Sequence, residues 1–276
     1  MEAHPLGLGG LALAAGLIAI NAAISIAFRL GLERTLLIAS LRMVAQLAAV
    51  GVVLKLIFDA QSPWVTLLAG LLMALVAGFE AVSRLERPFA TWHAYGLGAG
   101  TLLVTGMLGA MYATAGVIGP DPWYQPRVVL PILGMVLGNT LTGISLVLDT
   151  ITDVASRERA AIEARLALGH TRFMALDEVV RRALKTGLTP ILNSMAVAGV
   201  VSLPGMMTGQ ILAGAAPLEA AKYQIMILFV IAGSTALAVT ATALGGVLLL
   251  TDDRHRLRLD RLLPRKRTST PNGKKR

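Results

Sequence analysis

Residues 223–250 read YQIMILFVIAGSTALAVTATALGGVLLL, a run without one charged side chain. A helix of roughly 20 mostly apolar residues crosses the hydrocarbon core of a bilayer, so this segment can span with residues to spare. Working outward from it, six further runs of the same kind occur at about 6–28, 36–58, 64–82, 95–118, 128–148 and 187–212. Composition agrees. The chain has 276 residues, 55% hydrophobic and 15% charged, with a mean hydropathy of +0.69, against an apolar share of about 45–50% in soluble domains. The expectation is an all-α, polytopic membrane protein with about seven transmembrane helices, which form a transmembrane domain over 1–251 within the lipid bilayer.

Orientation follows from the basic residues, because cytoplasmic loops carry the excess of Lys and Arg. Arg29 and Arg34 follow the first run, Arg84 and Arg87 follow the third, and seven basic residues lie between Arg157 and Lys185. Ten of the 25 Lys and Arg residues then fall between Arg254 and Arg276. An N-out, C-in arrangement puts all of these on the inner side, so the formal net charge of +9 reads as topology and calls for no nucleic acid partner. Residues 252–276 are expected to be a basic cytoplasmic tail. Cysteine is absent, which excludes disulfides, thiolate metal sites and cysteine nucleophiles.

The longest stretch between spans, 150–186, has helical character, with Ala155, Ile162, Leu166 and Leu168 recurring among charges. Gly169, His170 and Thr171 interrupt it, and Thr171 is placed to cap a second helix. This predicts two cytoplasmic helices and a turn between the fifth and sixth spans. Within the sixth run, Ser202-Leu203-Pro204-Gly205-Met206-Met207-Thr208-Gly209 puts a proline and glycines at membrane depth, where a broken helix is tolerated only against protein or a water-filled path. In the fifth run Gly134 and Gly138, beside Asn139, are small enough for close helix approach.

Catalytic motifs are missing. No GxxxxGK[ST] phosphate loop, HExxH or GxSxG occurs, and His4, His93, His170 and His255 are scattered without metal-ligand spacing. The expectation is a chain that is not an enzyme and binds no cofactor. The segment Glu163-Ala164-Arg165-Leu166-Ala167-Leu168-Gly169 resembles the EAAxxxG signature of ATP-binding cassette (ABC) permeases, with Arg165 in place of the second alanine. A wider pattern runs through Gly138-Asn139, Ser145-Leu146, Arg157, 162–169, Arg182, Pro190, 200–209 and 222–226, with Arg42 and Gln46-Leu47 in the second run. It resembles the FetB-type iron-export permease family, to which plant STAR-type aluminium-tolerance half transporters are similar. The resemblance covers most of the chain and is strongest from about Pro131 to Phe229.

What the resemblance implies is a permease subunit of the bacterial inner membrane, present as two copies, that pairs with a separate ABC ATP-binding subunit. ATP and Mg would sit on that partner, and iron or a related metal ion would be exported. Glu163, Ala164, Arg165, Gly169 and His170 are then the candidate coupling residues. Arg42, Gln46, Asn139, Ser202, Pro204, Gly205, Met206 and Met207 are the candidates for the translocation path, with Met135 beside them. The Met side chains also serve as ordinary helix-interface fillers. Asp149 and Asp153, one helical turn apart at the inner mouth, offer hard oxygen ligands for a waiting cation. Two rival readings stay open: an ABC permease for a nucleotide sugar or other organic anion, and a stand-alone secondary transporter or membrane scaffold.

Overall fold

The computed structural model describes residues 7–83, 85, 89–90 and 92–263. Leu6, at the start of the first expected span, and 264–276 of the expected tail lie outside the described residues. Those described are almost entirely helical, and their β-pairing is limited to isolated bridges. Six helices are long and apolar enough to cross a membrane by length and composition.

The chain divides into two compact units, one containing residues up to Ala60 and the other beginning at Gln61. In the first, α1 (Leu8–Ala27) and α2 (Glu33–Ala60) form a helical hairpin. Its turn is closed by Ser25, whose hydroxyl donates to the Glu33 carboxylate (2.9 Å) and accepts the Leu32 N–H (2.9 Å). Arg42 and Gln46 lie four residues apart on one exposed face of α2.

The second unit contains α3 (Pro63–Ser83), α4 (Trp92–Met111) with a π-helical continuation Tyr112–Ile118, α5 (Pro126–Arg157) and the short helices α6 (Arg159–Ala167) and α7 (Arg172–Ala175). It continues through α8 (Asp177–Val197), α9 (Gly205–Leu212) and α10 (Pro217–Leu250). Helix α5 packs on α3, α4, α8 and α10, so it is the axis of the unit. One apolar cluster, including Leu133, Ile144, Leu148, Ile151, Ala183 and Val247, runs toward the end where α5 gives way to α6. A second, with Ile132, Val136, Ile191, Ile227 and Ile231, fills the opposite end, and Met135, Met195, Met206 and Met226 pack on it.

Close approach falls elsewhere than at the glycines singled out from sequence. A Cβ on Gly138 would meet nothing within 4 Å, and one on Gly134 only the tip of Met73 at 3.3 Å. One tight crossing of α5 is Gly143 against Gly187 of α8, where a Cβ on either would lie 3.1 Å from the other's carbonyl oxygen.

The sixth expected span takes a different form from the other six. Helix α8 begins ten residues before 187 and passes without interruption from the charged stretch into the apolar one, 21 residues and about 30 Å in all. It stops at a compact turn in which Val197 O accepts from the N–H groups of Val201 (3.0 Å) and Ser202 (3.1 Å), and Gly199, at φ +83°, donates to Ser202 O (2.8 Å). Helix α9 then packs along α10, joined to it by residues 213–216. A break is thus present and hydrogen-bonded, but it lies at 198–204: Pro204 forms the N-cap of α9, and Gly205 to Gly209 of the predicted stretch are helical.

Candidate coupling elbow and polar face

Between α5 and α8 the chain makes an elbow whose shape follows from a few residues. Helix α5 ends at Arg157, and α6 restarts after Glu158 with Ile162 buried as its anchor. Gly169 then adopts φ +89°, a left-handed conformation that costs an ordinary L-residue about 1–2 kcal/mol. Its N–H donates to Leu166 O (3.0 Å) and the His170 N–H donates to Arg165 O (3.2 Å). These two bonds are the Schellman closure of a helix C-terminus. Thr171 follows as the N-cap of α7, its hydroxyl accepting the Met174 N–H at 3.4 Å. Ala175 and Leu176 are buried, and α8 starts with Asp177 and Glu178 in its first turn, the signs that suit the positive end of a helix dipole.

The coupling residues expected from sequence come together here. The Arg159 guanidinium holds the Glu163 carboxylate at 2.8 Å. Arg165 reaches across the turn to Ala175 O (3.4 Å) and the Glu178 carboxylate (3.5 Å), so the residue that departs from the signature ties α6 to α7 and α8. Ala164, Gly169 and His170 are exposed. Arg182 of α8 bonds Glu158 at 3.1 Å, closing the base of the elbow. The tip is apolar although it lies beyond the long helices, with Leu168 79% and Met174 59% exposed.

The path candidates occupy three places. Arg42 and Gln46 are in the first unit, on α2. Met206 packs on the apolar cluster at the far end from the elbow, while Ser202 and Pro204 lie in the turn into α9 and Gly205 and Met207 in its first turn. Asn139 belongs to a stripe on α5, Met135, Asn139, Thr142, Leu146, Asp149 and Asp153, which recurs every three or four residues and stays partly or fully exposed while the rest of α5 is largely buried. The Asn139 amide donates to Met135 O (2.8 Å) and the Thr142 hydroxyl to Gly138 O (3.1 Å), so both polar groups are accommodated on the helix surface. Asp153 is engaged by Arg157 at 2.8 Å. Among the described residues no group of three or more His, Cys, Asp or Glu side chains converges to hold a metal ion.

One element escaped the sequence reading. Residues 252–263 begin the expected basic tail, yet together with Thr251 they fold back as a strap. Thr251 bridges Leu257, the Arg258 N–H donates to Leu250 O (2.8 Å), and Leu257, Leu259 and Leu262 pack on the elbow-end core. The Asp252 carboxylate accepts the backbone N–H groups of Arg254 (3.0 Å) and Arg256 (2.9 Å) and the Arg256 guanidinium (2.8 Å). Bonding to the Arg256 backbone N–H, joined by its side chain and the Arg254 N–H, pulls the Asp252 carboxyl down to about 2. His255, at φ +55°, accepts the Arg172 N–H on Nδ1 (3.3 Å), and Arg172 faces Asp253 at 3.9 Å. At its other end the strap bridges Phe89 through Leu262, and Arg261 O accepts the Ala90 N–H (2.7 Å). An aspartate opening a turn and leucines at 257, 259 and 262 were the available signals.

The family described as "Uncharacterised protein family (UPF0014)" matches residues 8–248. Among individual proteins, the chain is 38% identical over 231 residues to the "UPF0014 membrane protein slr1647" of Synechocystis sp., covering 81% of this chain and 87% of that one. It is 34% identical over 234 residues to the "UPF0014 membrane protein STAR2" of Oryza sativa subsp. japonica, covering 84% and 79%. It is 33% identical over 242 residues to the "Probable iron export permease protein FetB" of Escherichia coli, covering 86% and 90%. No solved structure matches it. With six apolar helices of spanning length and relatives named as membrane proteins, the chain is a multi-pass membrane protein.

Proposed function

This chain belongs to the UPF0014 family, and on that premise we propose that it is the permease subunit of an ABC transporter, moving iron or a related metal ion outward across a bacterial inner membrane. The observation that carries the reading is the elbow: a helix closed by Gly169, capped again at Thr171 and tipped with exposed Leu168 and Met174, set between two long helices. It is built to be gripped by another protein. The name of the Escherichia coli relative supplies the cargo class. ATP and Mg would be held by the separate ATP-binding subunit, since this chain has no phosphate loop of its own.

The polar stripe on α5 supports the transport half of the reading. Asn139, Thr142 and Asp149 interrupt a surface that lipid would otherwise cover, and polar groups at membrane depth belong against protein or water. A second copy of this chain facing the stripe would enclose it, with Asp149 and Asp153 at the elbow-side mouth. Both elbows would then take up movement from a pair of ATP-binding subunits.

The test is reconstitution of the chain with its ATP-binding subunit in proteoliposomes, with ATP hydrolysis and metal movement measured together. Gly169→Trp leaves the long helices intact and removes the turn. The expected result is loss of transport-coupled hydrolysis. Full coupling in Gly169→Trp, or no complex with any ATP-binding subunit, would end the proposal.

A further inference from the structure

The strap and the elbow enclose a cleft of about 440 Å³, lined by Glu163, Leu166 and Ala167 on the α6 side and by Arg254, His255, Arg256 and Leu257 on the strap side. Two of its charges are already satisfied: Glu163 by Arg159 (2.8 Å) and Arg256 by Asp252 (2.7 Å). Arg254 is different. Its backbone N–H is bound by Asp252, which fixes where the residue sits, while its side chain is exposed at the lip. With Arg256 and Glu163 each paired, Arg254 is the charge left over in the lining and makes the cleft cationic, and the cleft is pre-shaped, because Asp252 holds the turn and the Arg172 N–H on His255 Nδ1 holds the turn to α7.

Resting on the reading of the chain as an ABC permease, we propose that this cleft is a second docking point for the ATP-binding subunit, receiving an acidic side chain of that subunit beside the grip on α6 and Gly169. The charge of the cleft selects the occupant, and the neighbouring apolar tip at Leu168 and Met174 supplies the buried area that a lone ion pair lacks. The strap also gives the contact a mechanical reach. Through Leu262 on Phe89 and the Ala90 N–H on Arg261 O it is joined to the connection between α3 and α4. Force applied at the cleft therefore enters the unit at two places, the elbow and the α3–α4 connection, whereas a grip on α6 alone enters at one.

The test uses the full chain in lipid nanodiscs with the purified ATP-binding subunit. The chain contains no cysteine, so Arg254→Cys carries a photoreactive maleimide at a single position, and Trp123→Cys, on the loop between α4 and α5, is the control. We expect an adduct with the ATP-binding subunit, mapped to an acidic stretch of its surface, from position 254 only. Arg254→Glu is expected to weaken the complex by at least about tenfold, with Arg254→Lys retaining most of the affinity and the melting of the isolated chain unchanged in both. Unchanged affinity in Arg254→Glu, where Gly169→Trp does disrupt the complex, would overturn this inference and leave the permease reading standing. An adduct with lipid headgroups alone would overturn it in favour of an anionic lipid, and no complex with the wild-type chain would overturn both readings.

Discussion

The crossing of α5 and α8 at Gly143 and Gly187 gives a prediction in which structure and sequence pattern disagree. A Cβ placed on Gly187 would lie 2.6 Å from Val147 Cγ2 and 3.1 Å from both Gly143 O and Val239 Cγ1. The first neighbour is a β-branched side chain with little rotamer freedom, and the second is backbone, so neither can retreat alone. Overpacking of this kind costs about 1–3 kcal/mol, while alanine gains up to about 1 kcal/mol over glycine within a helix. The net expectation for Gly187→Ala is a loss of up to about 2 kcal/mol, centred near about 1 kcal/mol, roughly fivefold in the unfolding equilibrium. Gly143→Ala, with contacts at 2.9 Å to Val239 Cγ2 and 3.1 Å to Gly187 O and Thr235 Cγ2, should behave alike.

Gly138→Ala is the contrast, because a Cβ there meets nothing within 4 Å and only the helix-propensity gain remains. The assay is reversible unfolding in mixed detergent micelles at protein concentrations where the chain is monomeric, followed by circular dichroism. Opposite signs for Gly187→Ala and Gly138→Ala are expected. Equal stability of Gly187→Ala and wild type would refute the crossing, and so would a Gly138→Ala variant as damaged as Gly187→Ala.

Two further outcomes follow from the elbow end. The Asp252 carboxyl, held down to about 2, stabilises the strap turn fully above the unfolded carboxyl range near about 3.9, and that contribution is lost as pH falls toward 2; the protection of the 251–257 amides against hydrogen exchange, relative to the intrinsic rate at each pH, should fall across that window, and in Asp252→Asn it should be low and flat with pH. Equal protection in wild type and Asp252→Asn would show that the carboxylate does not hold the turn. Leu168→Cys should react with a membrane-impermeant maleimide only in inside-out vesicles and Trp123→Cys only in right-side-out ones; the reverse pattern would place the elbow out of reach of any inner-side ATPase.

Much of the fold is legible because spanning helices are declared by length and apolarity, and α3, α4, α5 and α10 all overlap their expected runs. What hydropathy misses is backbone continuity. Helix α5 passes Leu148 and continues to Arg157 because Ile151, Val154 and Ala155 go on burying one face of it while Asp153 and Arg157, one turn apart, pair on the other. The boundary at 187 is of the same kind, since side chains change from charged to apolar there while the hydrogen-bond ladder of α8 does not change. The elbow was readable for the opposite reason: Gly169 and Thr171 act on the backbone locally, and each does what its residue type predicts. The strap was hidden because its basic charge dominated the reading of 252–276, although its fold depends on one aspartate and three leucines. Gly143 and Gly187 lie 44 positions apart, and nothing in either run announces the other.

The continuity of α5 has a mechanical consequence. The same 32-residue helix carries the polar stripe and ends at Arg157, next to Glu158 at the base of the elbow, so the stripe has no joint separating it from the place where a partner would push. Its one interior proline, Pro131, precedes Met135, where the stripe begins, and the missing N–H there leaves a softer point at the far end. Helix α8 is arranged otherwise, with Pro190 between the Gly187 crossing and the turn at Val197. Movement of the elbow would therefore carry the α5 stripe and the lower half of α8 together as one body locked at Gly143 and Gly187. Flexing would be confined to the segments beyond Pro131 and Pro190, which include the turn at 198–204. The crossing glycines are thus placed to decide whether a push on the elbow reaches the polar stripe as displacement or is dissipated as sliding between two helices.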